Sequence, residues 1–294
     1  MMDKKKSWYP FTPEQTVNIL SEFGPLVAMF IVNAVGGINA GTWALLVSTV
    51  VAMVVMRAVL GRLPIFPIIA SGVTIVFGLL TIVTGDSMWI KIKVSIFNAM
   101  FAGFLFGGLW ATSPIMGRQS LYTVVGLTVL VTLAQYPYAG QLATGFPALG
   151  DETNPLTTNL ICLGSMVVGF LLGGLVFKEN FFGHVFEGTF HYSQEGWDRF
   201  TYSFAWFFVL TAVLNEAVRQ LFISDQMYTI PAFGVMNGTS VWILFKIVFI
   251  MPISGLYAWF LTTLMSKYEV PPPVASGGAK GAKSAGATKP VRAH

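Results

Sequence analysis

The chain has 294 residues, 54% of them hydrophobic and only 10% charged, with a mean hydropathy of +0.69. A soluble domain carries about 25% charged residues, so this composition excludes an aqueous globular protein and indicates an integral membrane protein. The net charge of +4 is accounted for by the C-terminal tail, where Lys280, Lys283, Lys289 and Arg292 meet no acid after Val270, which leaves the membrane body neutral.

In chain order, the start MMDKKKSWYP is positive but lacks a short apolar region ending in a small-residue cleavage site, so residues 1–17 read as a retained cytoplasmic N-terminus. A transmembrane helix needs about 20 mostly apolar residues. Such runs occur near 18–36, 41–60, 64–84, 89–111, 120–137, 156–177, 200–222 and 239–265. The expectation is an all-α, polytopic transmembrane helix bundle of eight spans over 18–268, with six or seven as the alternatives. The first run is interrupted by Glu22, Gly24, Pro25 and Asn33, and the fifth is short. Residues 269–294 lack large apolar side chains and read as a disordered, basic cytoplasmic tail.

Cations in short loops set orientation. Lys4–Lys6, Arg57 with Arg62, Arg118, Lys178 with Arg199, and Lys267 with the tail fall on one side if eight spans hold. Both termini are therefore expected in the cytoplasm. Lys91 and Lys93 lie at the opposite, outer end of the fourth span, against the rule.

The run EGWDRFTYSFAWFFVLTAVLNEAVR, residues 195–219, carries Asn215 and Glu216 in an apolar segment of membrane length. A carboxylate at the centre of a span costs roughly 2.5–3.5 kcal/mol on insertion scales, so it normally faces protein or water and has a partner. At 1.5 Å per residue Glu216 and Lys246 both lie roughly 10 Å below the outer helix ends, which makes them the preferred ion pair. The candidate intramembrane polar cluster comprises Asp86, Lys91, Lys93, Asn98, Asn215, Glu216 and Lys246. Three roles fit such a cluster: interfacial charges, buried polar groups that fix helix packing, or a transport path.

GFLFGGLW at 103–110 and GFLLGGLV at 169–176 form a near repeat. It places Gly103/Gly107 and Gly169/Gly173 at the spacing that lets helix backbones approach closely. Cys162 is the one cysteine, so no intramolecular disulfide can form. His184 and His191 would share a face of an amphipathic cytoplasmic segment, but with no third ligand they make a weak metal or haem site. No phosphate loop, nucleophile elbow or Ser/His/Asp set occurs. The expectation is no catalytic residue, no cofactor, no metal and no nucleic acid.

Four ordered blocks carry a resemblance: FGPLVAMFIVNAVGGINAGT, RLPIFPIIASGVTIVFGLLTIVTGDSMWIKIKVSIFNAMFAG, GFLLGGLVFKENFFGHVFEGTFHYSQEGWDRFTYSFAWFFVLTAVLNEAVR and SVWILFKIVFIMPIS. Together they resemble the YciB, or intracellular septation protein A, family of bacterial inner-membrane proteins. The resemblance implies a non-enzymatic, multi-pass inner-membrane protein involved in cell-envelope integrity, membrane homeostasis and septation. It also implies links to division or envelope-synthesis proteins. Residues carried over by matching position are Asp86, Lys91, Lys93, Asn98, Glu195, Gly196, Trp197, Asn215, Glu216, Trp242 and Lys246. The chain departs from the family pattern in an approximate two-span insertion over 111–168 and an enlarged loop near 223–238. The alternatives are a transporter or lipid-handling protein, and an accessory subunit of a larger membrane complex. Expected partners are the bilayer, division or envelope-synthesis membrane proteins, and a second copy of the chain.

Overall fold

A computed structural model describes residues 13–61, 65–143, 145, 151, 154–186 and 191–271. The N-terminal residues 1–12, most of the tail, Arg62 and Glu152 therefore lie outside the described residues, as do the side chain of His184 and all of His294. The architecture is helical, with one short β-hairpin among the described residues.

Helix α1, Pro13–Leu60, is continuous in hydrogen bonding but breaks direction at Gly37, whose φ of 73° and ψ of −177° no helix contains. A straight helix would hold residues 21 and 52 about 46 Å apart, yet Ser21 Oγ reaches the carbonyl of Ala52 at 3.5 Å. The two arms of α1 are thus an antiparallel helical hairpin. At the turn a Cβ on Gly41 would lie 2.7 Å from that of Asn33. The expected spans at 18–36 and 41–60 correspond to these arms.

Helix α2, Ile65–Thr84, ends where Gly85 takes a positive φ of 71° and donates its N–H to Thr81. Helix α3, Met88–Thr112, follows at once and is the axle of the molecule, with thirteen buried residues. Helices α4, Gly117–Ala134, and α5, Leu156–Val176, come next, with a 3₁₀ turn at Tyr136–Ala143 between them. The short α6, Phe181–Phe186, leads to α7, Gln194–Leu221, whose N-terminus is capped by Ser193 Oγ accepting from the N–H of Gly196.

The enlarged loop of the sequence reading contains an antiparallel hairpin of β1, Met227–Ile230, and β2, Gly234–Asn237. Asn237 then caps α8, Gly238–Phe245, through its Oδ1. A π-helical turn, Lys246–Ile250, joins α8 to α9, Met251–Met265.

The closest packing is between α3 and α5. A Cβ on Gly103 would stand 1.9 Å from the Met166 carbonyl oxygen, and one on Gly107 1.9 Å from that of Phe170. Reciprocally, Gly169 and Gly173 would meet the carbonyl oxygens of Met100 and Phe104 at 2.0 Å. The two helices run parallel, and each presents the same repeat position to the other, so the pair has an approximate twofold relation. Beside this seam lies an aromatic and aliphatic core that includes Phe106, Phe170, Phe182, Trp197 and Phe200. Helix α7 packs along α3 and binds the two ends of the bundle together.

Among the described residues, five helical stretches are by length and composition able to cross a membrane: Gly24–Val59, Met88–Thr112, Leu156–Val176, Gln194–Leu221 and Gly238–Tyr268. The first is the α1 hairpin. Many of their exposed residues are large and apolar, among them Val47, Val51, Leu171, Leu175 and Trp259. Such surface suits contact with lipid rather than water.

Candidate functional site: two polar knots on one helix

Helix α7 turns one face to the core, and on that face lie Asp198, Thr201, Ala205, Ala212, Asn215 and Arg219. The polar members divide into two groups, one at each end. Asp198 and Asn215 are seventeen residues apart, or about 25 Å along the helix.

At the Asn215 end, the amide Nδ2 donates to the carbonyl of Lys91 at 3.0 Å and to Ser95 Oγ at 2.7 Å. Its Oδ1 accepts from Trp242 Nε1 at 3.0 Å. One side chain therefore ties α7 to both α3 and α8. Ser95 Oγ donates to Glu216 Oε1, and Arg219 Nε donates to Glu216 Oε2 at 2.9 Å. Arg219 and Trp242 are 0% and 1% exposed, so every one of these bonds is made away from water, where a lost partner is costly.

The expected ion pair between Glu216 and Lys246 is not the one formed. Arg219, three residues on along the same helix, takes the carboxylate. Lys246 instead lies over the Trp242 indole, its Nζ 3.9 Å from the ring centre, a cation–π contact. Lys91 is fully buried and donates to Ser224 Oγ at 2.6 Å, next to Ser87. Lys93 points the other way, to Thr74 Oγ1 of α2 at 2.7 Å. Two residues of the candidate cluster stand apart. Asp86 is exposed and accepts from the N–H of Met88, the first residue of α3, while Asn98 bonds to the Val94 carbonyl of its own helix.

The other end holds a group that the sequence reading did not single out. Asp198 is 0% exposed. Its Oδ2 accepts from Ser113 Oγ and its Oδ1 from Asn180 Nδ2 and Gln194 Nε2, both at 3.0 Å. Asn180 Oδ1 in turn accepts from Thr201 Oγ1 at 2.8 Å and from the N–H of Gly183. These bonds fasten the end of α3 and the start of α6 to α7. A cavity of about 320 Å³ opens beside them, lined by Thr112, Lys178, Glu179, Asn180, Gly183, Gln194 and Trp197.

Glu195, Gly196 and Trp197 occupy the first turn of α7. A Cβ on Gly196 would come within 2.6 Å of the Tyr268 Cβ, so the missing side chain seats the C-terminal end of the last helix. There Ser193 donates its N–H to Tyr268 and Val270 donates to His191. Trp197 stacks edge-on with Tyr192 at 5.1 Å. Glu195 pairs only with Arg199 at the surface, a contact worth little. His191 therefore sits in an extended pairing, whereas α6 ends at Phe186, so the two histidines do not share one helix.

Between the knots the core is aromatic, with Phe200, Phe204 and Phe208 of α7 against Phe101, Phe106 and Phe182. The arrangement joins helices at both ends and is apolar in the middle.

The family model described as intracellular septation protein A matches residues 17–127 and 158–255. The chain belongs to the intracellular septation protein A family. Among curated proteins it is similar to inner membrane-spanning protein YciB of Bradyrhizobium sp., with 26% identity over 229 residues, 78% of this chain and 82% of the relative. It is similar also to the proteins of that name from Nitrobacter hamburgensis, 24% identical over 271 residues and 92% of each chain, and from Brucella melitensis, 25% identical over 240 residues, 76% of this chain and 79% of the relative. No solved structure matches the chain.

This septation-family chain is accordingly a multi-pass protein of the inner membrane, in contact with the lipid bilayer. The names of the family and of the relatives imply no enzymatic activity. The matched blocks include residues 111–127 and 158–168, so of the 111–168 stretch expected as an insertion only residues 128–157 lie outside the family match.

Proposed function

We propose that this septation-family protein is a non-enzymatic scaffold of the inner membrane that maintains envelope integrity and supports septation. The observation that carries this reading is the pairing of the family match with a polar interior that is bonded to itself. The buried acids among the described residues, Asp198 and Glu216, each accept from neighbouring side chains, and an aromatic layer separates them. Groups placed in this way fix helix positions, whereas a conduction path needs polar groups through the full depth.

The topology belonging to this reading has eight spans. The two arms of α1 count separately, and α2 and α4, at about 30 and 27 Å, are long enough for a hydrocarbon core of about 30 Å. Both termini then face the cytoplasm, with the Asp198 knot at the cytoplasmic side and the Asn215 knot at the outer side. Partners are division or envelope-synthesis membrane proteins, and the 111–168 stretch, whose residues 128–157 lie outside the family match, offers the surface for them.

A deletion strain scored for envelope leakage, osmotic sensitivity and cell length tests the function. Normal values on all three refute it. A periplasm-active reporter fused between residues 138 and 155 is expected to be active, and a cytoplasmic signal there overturns the eight-span topology. Loss of co-purified division proteins on removal of residues 111–168 would support that stretch as the docking surface, and unchanged co-purification would refute it.

A further inference from the structure

A second cavity, of about 480 Å³, lies at the Asp198 end, between the start of α4, the first turns of α7 and the end of α9. One part of its lining is apolar, formed by Ile115, Met116, Leu264 and Met265, and the other carries Arg199, Ser203, Lys267 and Tyr268. Among the described residues no acid lines it. The two cations meet on one ring. The Arg199 guanidinium carbon is 5.8 Å and Lys267 Nζ 5.0 Å from the centre of the Tyr268 ring, so the charges lie at most about 11 Å apart. That ring is held in place, because Tyr268 is seated against Gly196 and its carbonyl accepts from the N–H of Ser193. Glu195 takes only the Nε of Arg199, which leaves the two terminal nitrogens of the guanidinium without a bond to any described residue. Lys267 pairs with no acid among the described residues.

The depth of these groups matches a lipid headgroup. Arg199 lies about 8 Å in from the start of α7, and Lys267 sits in the 3₁₀ turn Ser266–Tyr268 that ends the last spanning stretch. Ile115 and Leu264 are 53% and 46% exposed, so the apolar lining continues into the surface that suits lipid. The occupant that fits is therefore anionic at one end and apolar at the other. A free anion would leave the apolar lining uncovered, and a hydrocarbon chain alone would leave both cations unpaired. Basic pockets between membrane helices near the bilayer surface take anionic headgroups, and the volume falls within the roughly 300–1,000 Å³ of small-molecule sites. The chain after Val270 carries Lys280, Lys283, Lys289 and Arg292 and no acid, so it supplies no counter-charge.

We infer that this cavity between α4, α7 and α9 binds an anionic phospholipid. Arg199 and Lys267 hold the phosphate, Ser203 adds a hydroxyl, and the upper part of an acyl chain lies against Leu264, Met116 and Met265, the methionines adapting to its shape. This site goes beyond the scaffold role and stands or falls separately from it.

The test uses the purified full chain in detergent, with native mass spectrometry and lipid titration. The probes are phosphatidylglycerol, phosphatidylcholine and inorganic phosphate. Phosphatidylglycerol is expected to be retained over phosphatidylcholine, and the double substitution Arg199→Gln with Lys267→Gln is expected to weaken that retention by about tenfold or more, the factor for one charge-assisted contact. Both side chains are exposed, so the variant should fold. Ser203→Phe, which fills the cavity and keeps both charges, should weaken retention as well, whereas Arg57→Gln, an exposed cation remote from the cavity, should leave it unchanged. Equal retention of the two lipids by the unmodified protein overturns the site, and this comparison needs no variant to fold. Undiminished retention by the folded double variant overturns it too, as does a loss with Arg57→Gln equal to that of the double variant, which would mean general surface attraction. Displacement of the lipid by millimolar inorganic phosphate would make free phosphate the occupant and overturn the lipid assignment.

Discussion

Asn215→Leu replaces a side chain that makes three buried hydrogen bonds with an apolar one of similar size. The Trp242 Nε1 donor loses its acceptor, and the Lys91 carbonyl and Ser95 lose one donor each. A net hydrogen bond is worth about 1 kcal/mol in general and about 0.6 kcal/mol between membrane helices, so the loss comes to about 2–3 kcal/mol. The assay is reversible unfolding in mixed micelles, with Trp242→Phe made alone and in combination. The tryptophan part of the loss is shared, so the double variant should fall short of additivity by about 1 kcal/mol. A loss below about 0.5 kcal/mol, or strict additivity, would refute the view that Asn215 pins α7 to α3 and α8.

Arg219→Gln should cost about 3–5 kcal/mol in the same assay, because it leaves Glu216 charged and buried, and Glu216→Gln added to it should restore part of the loss. Asp198→Ala strands the donors of Ser113, Asn180 and Gln194; a loss of about 2–3 kcal/mol and faster proteolysis near α6 are expected, and an unchanged cleavage rate would argue against the latch. Gly107→Ala puts a Cβ 1.9 Å from the Phe170 carbonyl oxygen and should cost about 1–3 kcal/mol. Gly126→Ala, with nothing within 4 Å, should leave the unfolding midpoint unchanged or slightly raised.

The helices were legible because lipid demands long apolar runs, and even the α1 hairpin shows in the polar interruption around Gly36, Gly37 and Asn39. The β-hairpin was not: Ile223–Gly238 reads as a loop, and its pairing depends on Gly234 at positive φ as much as on side-chain pattern. Partner choice was not readable from position along the span. Glu216 and Lys246 have the same expected depth, yet the nearer Arg219 at i+3 wins the carboxylate. Asp198 stands between Glu195 and Arg199, which pair with each other at the surface, so its immediate neighbours do not mark it as buried. The signal that exposes it is helical phase: 198, 201, 205, 212, 215 and 219 fall on one stripe, so a carboxylate on that stripe had to be buried.

The reciprocal glycine seam also limits how the molecule can associate. In a single-span protein a parallel surface of this kind would hold two chains together across a symmetry axis. Here both halves of that surface belong to one polypeptide and are already occupied by each other, with carbonyl oxygens where side chains would be. A second copy would have to displace α5 to use it. Any self-association must therefore draw on the outward apolar flanks of the bundle, and its strength should respond to substitutions there while remaining indifferent to Gly103 and Gly169 so long as the monomer stays folded.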